Sequence, residues 1–145
     1  IVFDQDGTVD KFMGDAMLAV FGAPAYIENH PYKAAAAAWK IKQAVAKFNR
    51  ESEIPLNTGI ALHSGDVIAG NIGSSKKMEY TVMGDTVNTV SRIESLNKKF
   101  GTDILMSDSI FERISPDIKV EEVTTVKLRG KEKEHTIYRL KGMPE

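Results

Sequence analysis

The chain of 145 residues contains no cysteine, and its formal net charge is only −1. The absence of thiols excludes disulfides and thiolate-bound metal ions, and it agrees with a reducing cellular compartment. A nearly neutral chain has no overall field that would attract nucleic acid or an anionic membrane surface. We therefore expect neither nucleic acid nor a lipid bilayer as a direct partner.

Long apolar runs are missing as well. The apolar stretch over residues 34–39 is far shorter than the roughly 18 to 20 apolar residues that a membrane helix needs. The first residues carry no basic segment followed by an apolar run, so they lack the pattern of a signal peptide. The chain opens at Ile1, without an initiator methionine, and we expect it to be a piece of a longer protein. We expect this piece to lie in the cytoplasm, even if the intact protein is anchored in a membrane.

Composition and length fit one ordinary globular domain. Hydrophobic residues make up 42% of the chain and charged residues 27%. No repeat, linker or low-complexity segment divides the sequence, so we predict a single domain over residues 1–145. Strand-like runs that alternate with two longer segments of helical periodicity favour an α+β fold with a mostly antiparallel sheet.

The elements are predicted from apolar periodicity and turn signals. Gly14-Asp15 predicts a tight turn between strands 8–12 and 16–21, and Gly65-Asp66 predicts a second hairpin between strands 56–63 and 67–72. The remaining predictions are a helix over 30–51, a polar loop over 73–77, a strand over 79–83, a helix over 85–100, a strand over 104–106, a short helix over 109–114 capped by Ser107, and strands over 120–128 and 136–140.

A first candidate motif stands near the N-terminal end, where Asp4-Gln5-Asp6-Gly7-Thr8 follows three apolar residues. It is similar to the nucleophile loop of haloacid dehalogenase-type phosphatases, in which Asp4 would attack phosphorus and Asp6 would act as acid and base. Gly84-Asp85 resembles a metal-binding acid of those enzymes, but Thr89 stands where a further aspartate is usual. Because motifs of five residues recur by chance, a polar turn before a strand is the alternative interpretation.

A larger set of motifs is spread over nearly the whole chain. It consists of Lys11-Phe12-Met13-Gly14-Asp15, of GDVIAGNIG over residues 65–73, of YTVMGDTVN over residues 80–88 followed by Ser91-Arg92, and of KLRGK over residues 127–131. The order and spacing of these blocks resemble the catalytic domains of class III adenylyl cyclases, especially the bacterial ones. The resemblance implies a ferredoxin-like α+β domain that converts ATP to 3′,5′-cyclic AMP and pyrophosphate.

Three residues of these blocks match family positions for metal and base. Asp15 corresponds to an aspartate that binds two divalent ions, Mg²⁺ or Mn²⁺, although aspartate is also common at hairpin turns. Lys11 and Thr81 correspond to positions that recognise adenine, where a lysine donates to the ring edge and a threonine hydroxyl accepts from the exocyclic amine. Because guanylyl cyclases have a glutamate at the position of Lys11, the resemblance favours ATP over GTP.

Three further residues match positions that act on ribose and phosphates. Asn88 and Arg92 are four residues apart and share one face of the second helix. By resemblance, Asn88 orients the ribose and Arg92 stabilises charge on the α-phosphoryl group. Arg129 stands where the family usually has a lysine that holds the β- and γ-phosphates, a role that arginine can also fill. The apolar face of the helix is predicted to contain Val87, Val90, Ile93 and Leu96.

The family builds its site between two subunits, which implies a homodimer with two equivalent sites. Asp15 would come from one subunit, and the other five site residues would come from its partner. The family's first strand, with the pattern F-x-D-I and another metal-binding aspartate, has no match in residues 1–9. We expect it upstream, together with regulatory domains, and we expect unpaired sheet edges without it. A catalytically silent nucleotide-binding or dimerisation module is the alternative.

Overall fold

The computed structural model describes residues 1–114, 116–127 and 133–144. A 3₁₀ turn, Phe3–Gln5, precedes eight strands and three α-helices in this part of the chain. In chain order these are β1 (Thr8–Met13), β2 (Ala16–Val20), α1 (His30–Glu51), β3 (Ile60–Leu62), β4 (Ile68–Ser74), β5 (Lys77–Met83), α2 (Asp85–Phe100), β6 (Ile104–Ser107), α3 (Asp108–Phe111), β7 (Lys119–Lys127) and β8 (Glu134–Gly142).

The main sheet has four strands in the order β3-β6-β8-β7. Strand β3 pairs in parallel with β6, and the other two pairings are antiparallel. The strand pairs β1–β2 and β4–β5 form two separate antiparallel hairpins. The α+β class with mostly antiparallel pairing is therefore confirmed, and among the described residues β3 has a paired strand on one side only.

Helices cover both faces of the main sheet because its central strand is apolar on both sides. Successive side chains of a strand point to opposite faces, so Ile104 and Met106 of β6 face one way and Leu105 faces the other. All three are buried. On one face, Ala35 and Ala38 of α1 join a cluster with Ile104 and Met106. On the other face, Leu105 packs with Ile93 of α2 and Ile137 of β8.

The prediction of a second hairpin between strands 56–63 and 67–72 is wrong, because these strands do not pair with each other. Gly65-Asp66 does not join two paired strands, because β3 is only three residues long and pairs with β6 instead. The hairpin lies one strand later: β4 and β5 pair over their full length, and Ser74 opposes Lys77 across the turn. This turn falls inside residues 73–77, which the sequence predicted to be a polar loop.

Two predictions about helix faces and caps also need correction. The buried residues of α2 are Thr89, Ile93 and Asn97, whereas Val87 and Val90 are only partly buried. Asn97 can be buried because its side-chain amide donates to the carbonyl of Ile60 at 3.0 Å and its oxygen accepts from the Thr102 hydroxyl.

Ser107 does precede the short helix α3, as predicted, but its hydroxyl forms no cap hydrogen bond. That hydroxyl contacts His63 and Ser109 instead. None of the described helices is long and apolar enough to cross a membrane.

Candidate active site

Lys11 and Thr81, the two predicted base-recognising residues, lie at one groove between hairpins. Lys11 is on β1 and Thr81 is on β5, and these strands contact each other. The groove has a volume of about 480 Å³ and is lined by Asp10, Lys11, Phe12, Glu79, Tyr80 and Thr81. That volume is within the range of small-molecule sites. The structure therefore brings together two residues that are 70 positions apart in the sequence.

A carboxylate joins these two side chains. The Thr81 hydroxyl donates to Oδ2 of Asp10 at 3.1 Å, and Nζ of Lys11 lies 3.6 Å from the same oxygen. The Asp10 side chain is only 2% exposed, whereas that of Lys11 is 44% exposed. Lys11 can therefore reach solvent and a ligand while Asp10 forms part of the groove wall.

Sequence reasoning missed Asp10. Its signal was present, because aspartate has low strand propensity and here it stands inside a predicted strand next to a lysine. In the structure the β1–β2 register shifts between Val9 and Lys11, which marks an irregularity at Asp10. In a regular strand, neighbouring side chains point to opposite faces, and a bulge allows Asp10 and Lys11 to meet.

Asp15, the predicted metal-binding residue, lies at the exposed tip of the β1–β2 hairpin. The tip is a two-residue turn, in which Gly14 has φ +63°, a conformation that glycine adopts without a steric penalty. The tight turn that was predicted at Gly14-Asp15 is confirmed.

The donor set suits a hard divalent ion only in part. Mg²⁺ typically binds one or two carboxylates and takes its other oxygens from substrate phosphates and water, and an exposed Asp15 fits that use. Among the described residues, no group of three or more acidic or histidine side chains is arranged to enclose a metal. Asp15 therefore fits as one of several metal ligands and not as part of a closed protein cage.

Asn88 and Arg92 lie on α2, which begins four residues after Thr81. Asn88 is exposed and Arg92 is partly buried, whereas Thr89 and Ile93 face the core. The first turn of α2 is held by the Thr86 hydroxyl, which donates to the carbonyl of Asp66 at 2.7 Å. Together with the Asn97 contacts at the other end, this bond fixes the helix and hence the directions of its outward side chains.

Arg129 lies outside the described residues, as do Leu128 and residues 130–132 of the same segment. Its assignment to the β- and γ-phosphates remains a prediction.

The phosphatase motif forms a turn that is tied to α1. Asp6 has φ +63° at the end of the 3₁₀ turn, and its carboxylate pairs with Lys33 of α1. Asp4 is exposed. A Cβ on Gly7 would lie 2.6 Å from the Phe21 ring, so close packing requires glycine there. These contacts give the motif a structural explanation.

A second polar cluster lies where β3 and β6 end, and we call His63, Ser107 and Ser109 the His63 cluster. Because β3 and β6 are parallel, their C-terminal ends meet at one edge of the sheet. Nδ1 of His63 is 2.7 Å from the Ser107 hydroxyl and 3.2 Å from the Ser109 hydroxyl, and the two hydroxyls are 2.6 Å apart. Ser107 is fully buried.

The chain is similar to known proteins in sequence and in fold. The model of the adenylate and guanylate cyclase catalytic domain matches residues 5–142. Adenylate cyclase 1 of Rhizobium meliloti is 32% identical over 99% of this chain, which spans 22% of that protein. An adenylate cyclase of Anabaena cylindrica is 33% identical over 96% of the chain, which spans 29% of its length.

A solved structure resembles the fold closely. The guanylyl cyclase Cya2 superposes with a TM-score of 0.89 at 32% identity, covering 99% of this chain and 74% of that one. The present chain thus spans less than a third of the two curated relatives, and it is similar to enzymes named for either purine. The extent of the family match shows that the chain belongs to the adenylate and guanylate cyclase catalytic domains.

Proposed function

We propose that this chain is the catalytic domain of an adenylate cyclase, which converts ATP to 3′,5′-cyclic AMP and pyrophosphate. The observation that carries the choice of ATP is the pair of side chains at one groove, an ammonium donor on Lys11 and a hydroxyl on Thr81, both in contact with Asp10. The relatives leave the purine open, because they include adenylate and guanylyl cyclases.

The chemistry of the two purines supports adenine. The Watson–Crick edge of adenine presents an amine donor beside the N1 acceptor, whereas guanine presents the O6 acceptor beside an N1–H donor. A lysine ammonium has three donors and no acceptor, so Lys11 can bind N1 of adenine but not the N1–H of guanine. A hydroxyl oxygen on Thr81 can accept from the amine of adenine.

The reaction assigns the other site residues. The ribose 3′-oxygen forms a bond to the α-phosphorus while the bond from that phosphorus to the bridging oxygen breaks and pyrophosphate leaves. The proton of the 3′-hydroxyl passes to solvent water. Asn88 would hold the ribose in line, and Arg92 would stabilise the charge that develops on the α-phosphoryl oxygens. Arg129 would bind the β- and γ-phosphates.

Asp15 would hold the divalent ions that the family uses. Bound Mg²⁺ or Mn²⁺ supplies charge neutralisation on the phosphates and favours loss of the proton from the ribose hydroxyl. The exposed position of Asp15 at a hairpin tip supports a site that is shared with a second subunit.

A homodimer is supported by the apolar surface of the two hairpins. Strands β1, β2, β4 and β5 leave large apolar side chains exposed, and contiguous exposed apolar surface is typical of an interaction site. These residues are Phe12, Met13, Met17, Ile68, Ile72, Met78, Tyr80 and Met83. We propose that a second copy covers this surface and supplies Asp15 to the groove of the first.

The product of the intact protein tests the proposal. We expect incubation with ATP and Mn²⁺ or Mg²⁺ to yield cyclic AMP and pyrophosphate, with GTP used at least about tenfold less well. Release of inorganic phosphate without cyclic nucleotide would favour a phosphatase. Nucleotide binding without turnover would favour a silent module, and a preference for GTP would refute the assignment of the base.

A further inference from the structure

Asp10 stands out because part of its carboxylate is buried without a partner. Oδ1 is the one buried side-chain oxygen or nitrogen without a hydrogen-bond partner in the part of the chain that the structure describes. Leaving a buried acceptor unpaired lowers stability, and the cost is larger for a charged group. An acid at a strand irregularity, in the wall of a groove, therefore calls for an explanation beyond the packing of β1.

The other carboxylate oxygen determines what Thr81 can do. A threonine hydroxyl has one proton, and in the structure this proton is directed to Oδ2 of Asp10 at 3.1 Å. The Thr81 oxygen then has only lone pairs left for any other partner. Without an acceptor at Asp10, the hydroxyl could rotate and donate to a ligand instead.

We propose that Asp10 is a positioning residue that sets purine specificity, because it fixes Thr81 as an acceptor and holds Lys11 beside it as a donor. The groove then offers an acceptor next to a donor, which complements a 6-aminopurine and opposes a 6-oxopurine. This inference rests on the proposed function and deepens it: the selection of ATP depends on a third residue that need not touch the base.

The consequence for guanine is specific. With Asp10 present, the lone pairs of Thr81 face the O6 acceptor of guanine, and the contact is repulsive. With Asp10 removed, Thr81 can donate to O6, so the use of GTP rises while the use of ATP falls. Lys11 still opposes the guanine N1–H, and therefore discrimination is weakened and not inverted.

Four variants of the intact protein separate the roles. Asp10→Leu removes the acceptor and fills the space, and Asp10→Ala removes it with a smaller side chain. Asp10→Asn keeps one carbonyl oxygen, which we expect at the position where the Thr81 hydroxyl and the Lys11 ammonium converge. Thr81→Val removes the hydroxyl that Asp10 is proposed to orient. As a matched control, Asp103→Asn removes the charge from another Asp–Lys pair, in which Asp103 lies 3.4 Å from Lys42 and outside the groove.

We expect Asp10→Leu and Asp10→Ala to lower the ratio of kcat/KM for ATP over GTP by about fivefold to tenfold, with a measurable gain for GTP. For Asp10→Asn and Asp103→Asn, the same ratio should stay within about twofold of its value in the unchanged protein, a difference of less than half a kcal/mol. In the Thr81→Val background, the change at Asp10 should no longer raise the use of GTP, because there is no hydroxyl to turn.

Competition of ATP and GTP against a fluorescent nucleotide gives the ratio of the affinities for ATP and GTP, independently of turnover. If either folded variant that lacks the acceptor keeps the original binding ratio, Asp10 does not set specificity. The same conclusion follows if Asp10→Leu lowers the ATP-to-GTP ratio by the same factor in the Thr81→Val variant, which has no hydroxyl at position 81. A protein that binds ATP but forms no cyclic AMP refutes the proposed function, and the binding ratio still decides the role of Asp10.

Discussion

The His63 cluster and the groove around Asp10, both in the described part of the chain, differ in how completely their polar atoms are paired. In the His63 cluster, the Ser107 and Ser109 hydroxyls and Nδ1 of His63 contact one another, and the backbone N–H of Ser64 donates to Ser109. In the groove between β1 and β5, Asp10 contacts two donors through one oxygen and leaves its other oxygen unpaired.

This difference in pairing suggests a structural role for the His63 cluster and a functional role for the groove. A network whose polar atoms are paired fixes one geometry and adds stability, whereas a buried carboxylate with an unpaired oxygen costs stability and points to another role. The His63 cluster lies at the edge of the main sheet, where it connects β3 to β6 and α3. The groove lies between two hairpins that are largely exposed. We therefore expect substitutions in the first region to change stability and substitutions in the second to change activity.

The largest expected effect is the loss of activity when either the groove or the tip of the β1–β2 hairpin is changed. Asp15→Ala and Lys11→Met should each abolish cyclic AMP formation in the intact protein. If the two residues act from different subunits, a mixed dimer contains one undamaged site, so an equal mixture should recover about a quarter of the normal activity. The measurement is cyclic AMP formation after co-expression or subunit exchange.

Each variant alone and a mixture of two Asp15→Ala preparations with different tags serve as controls. A mixture that remains inactive although mixed dimers are isolated would contradict the shared site. Activity of Asp15→Ala alone would show that this aspartate is not needed for metal binding.

A moderate effect on stability is expected in the His63 cluster. Ser107→Ala removes a fully buried hydroxyl that contacts both His63 and Ser109, and it should lower the free energy of unfolding by about 1 to 3 kcal/mol. Ser52→Ala removes a hydroxyl that bonds only to the nearby Ile54 backbone after α1, and it should change stability by less than about 0.5 kcal/mol.

Denaturant unfolding measures both variants, and cyclase activity is measured on the folded fraction. The comparison of the two regions fails if Ser107→Ala unfolds normally but loses activity or changes its preference between ATP and GTP.

The sequence was sufficient for features that depend on local chemistry. The Gly14-Asp15 turn, the long helix α1 and the bounds of α2 follow from turn residues, helix propensity and apolar spacing. The parallel pairing of β3 with β6 was missed because it joins strands more than 40 residues apart, and short strands carry no signal for their partners. That residues 1–145 form a single domain stays a prediction.

The site shows the same division between local and distant information. Lys11 and Thr81 were found by resemblance to a family, and their roles remain proposals. Asp10 could not be found in that way, because its meaning depends on a strand irregularity and on a contact with a residue 71 positions away. The burial of Asn97 likewise depends on a hydrogen-bond partner, the carbonyl of Ile60, that only the fold supplies.

The smallest expected effect is a pH dependence at the start of α1. Burial, and secondly the charge of Arg113, hold the pKa of His30 below its usual value of 6.5. The unfolded chain therefore takes up this proton at a higher pH than the folded chain does. Stability from this group is present above pH 6.5 and is lost as the pH falls below that value, until the folded His30 is protonated as well.

His30→Gln should remove this part of the pH dependence. We expect the fall in unfolding free energy between pH 7.5 and pH 5.5 to be smaller in the variant, because it has no imidazole to protonate. The difference should be small because His30 is only partly buried. Because His30 is not among the residues that line the groove, the ratio of ATP to GTP use should stay constant over the same range. An equal or larger fall in the variant would show that His30 does not carry this dependence, and a changed ratio would show that the two regions are coupled.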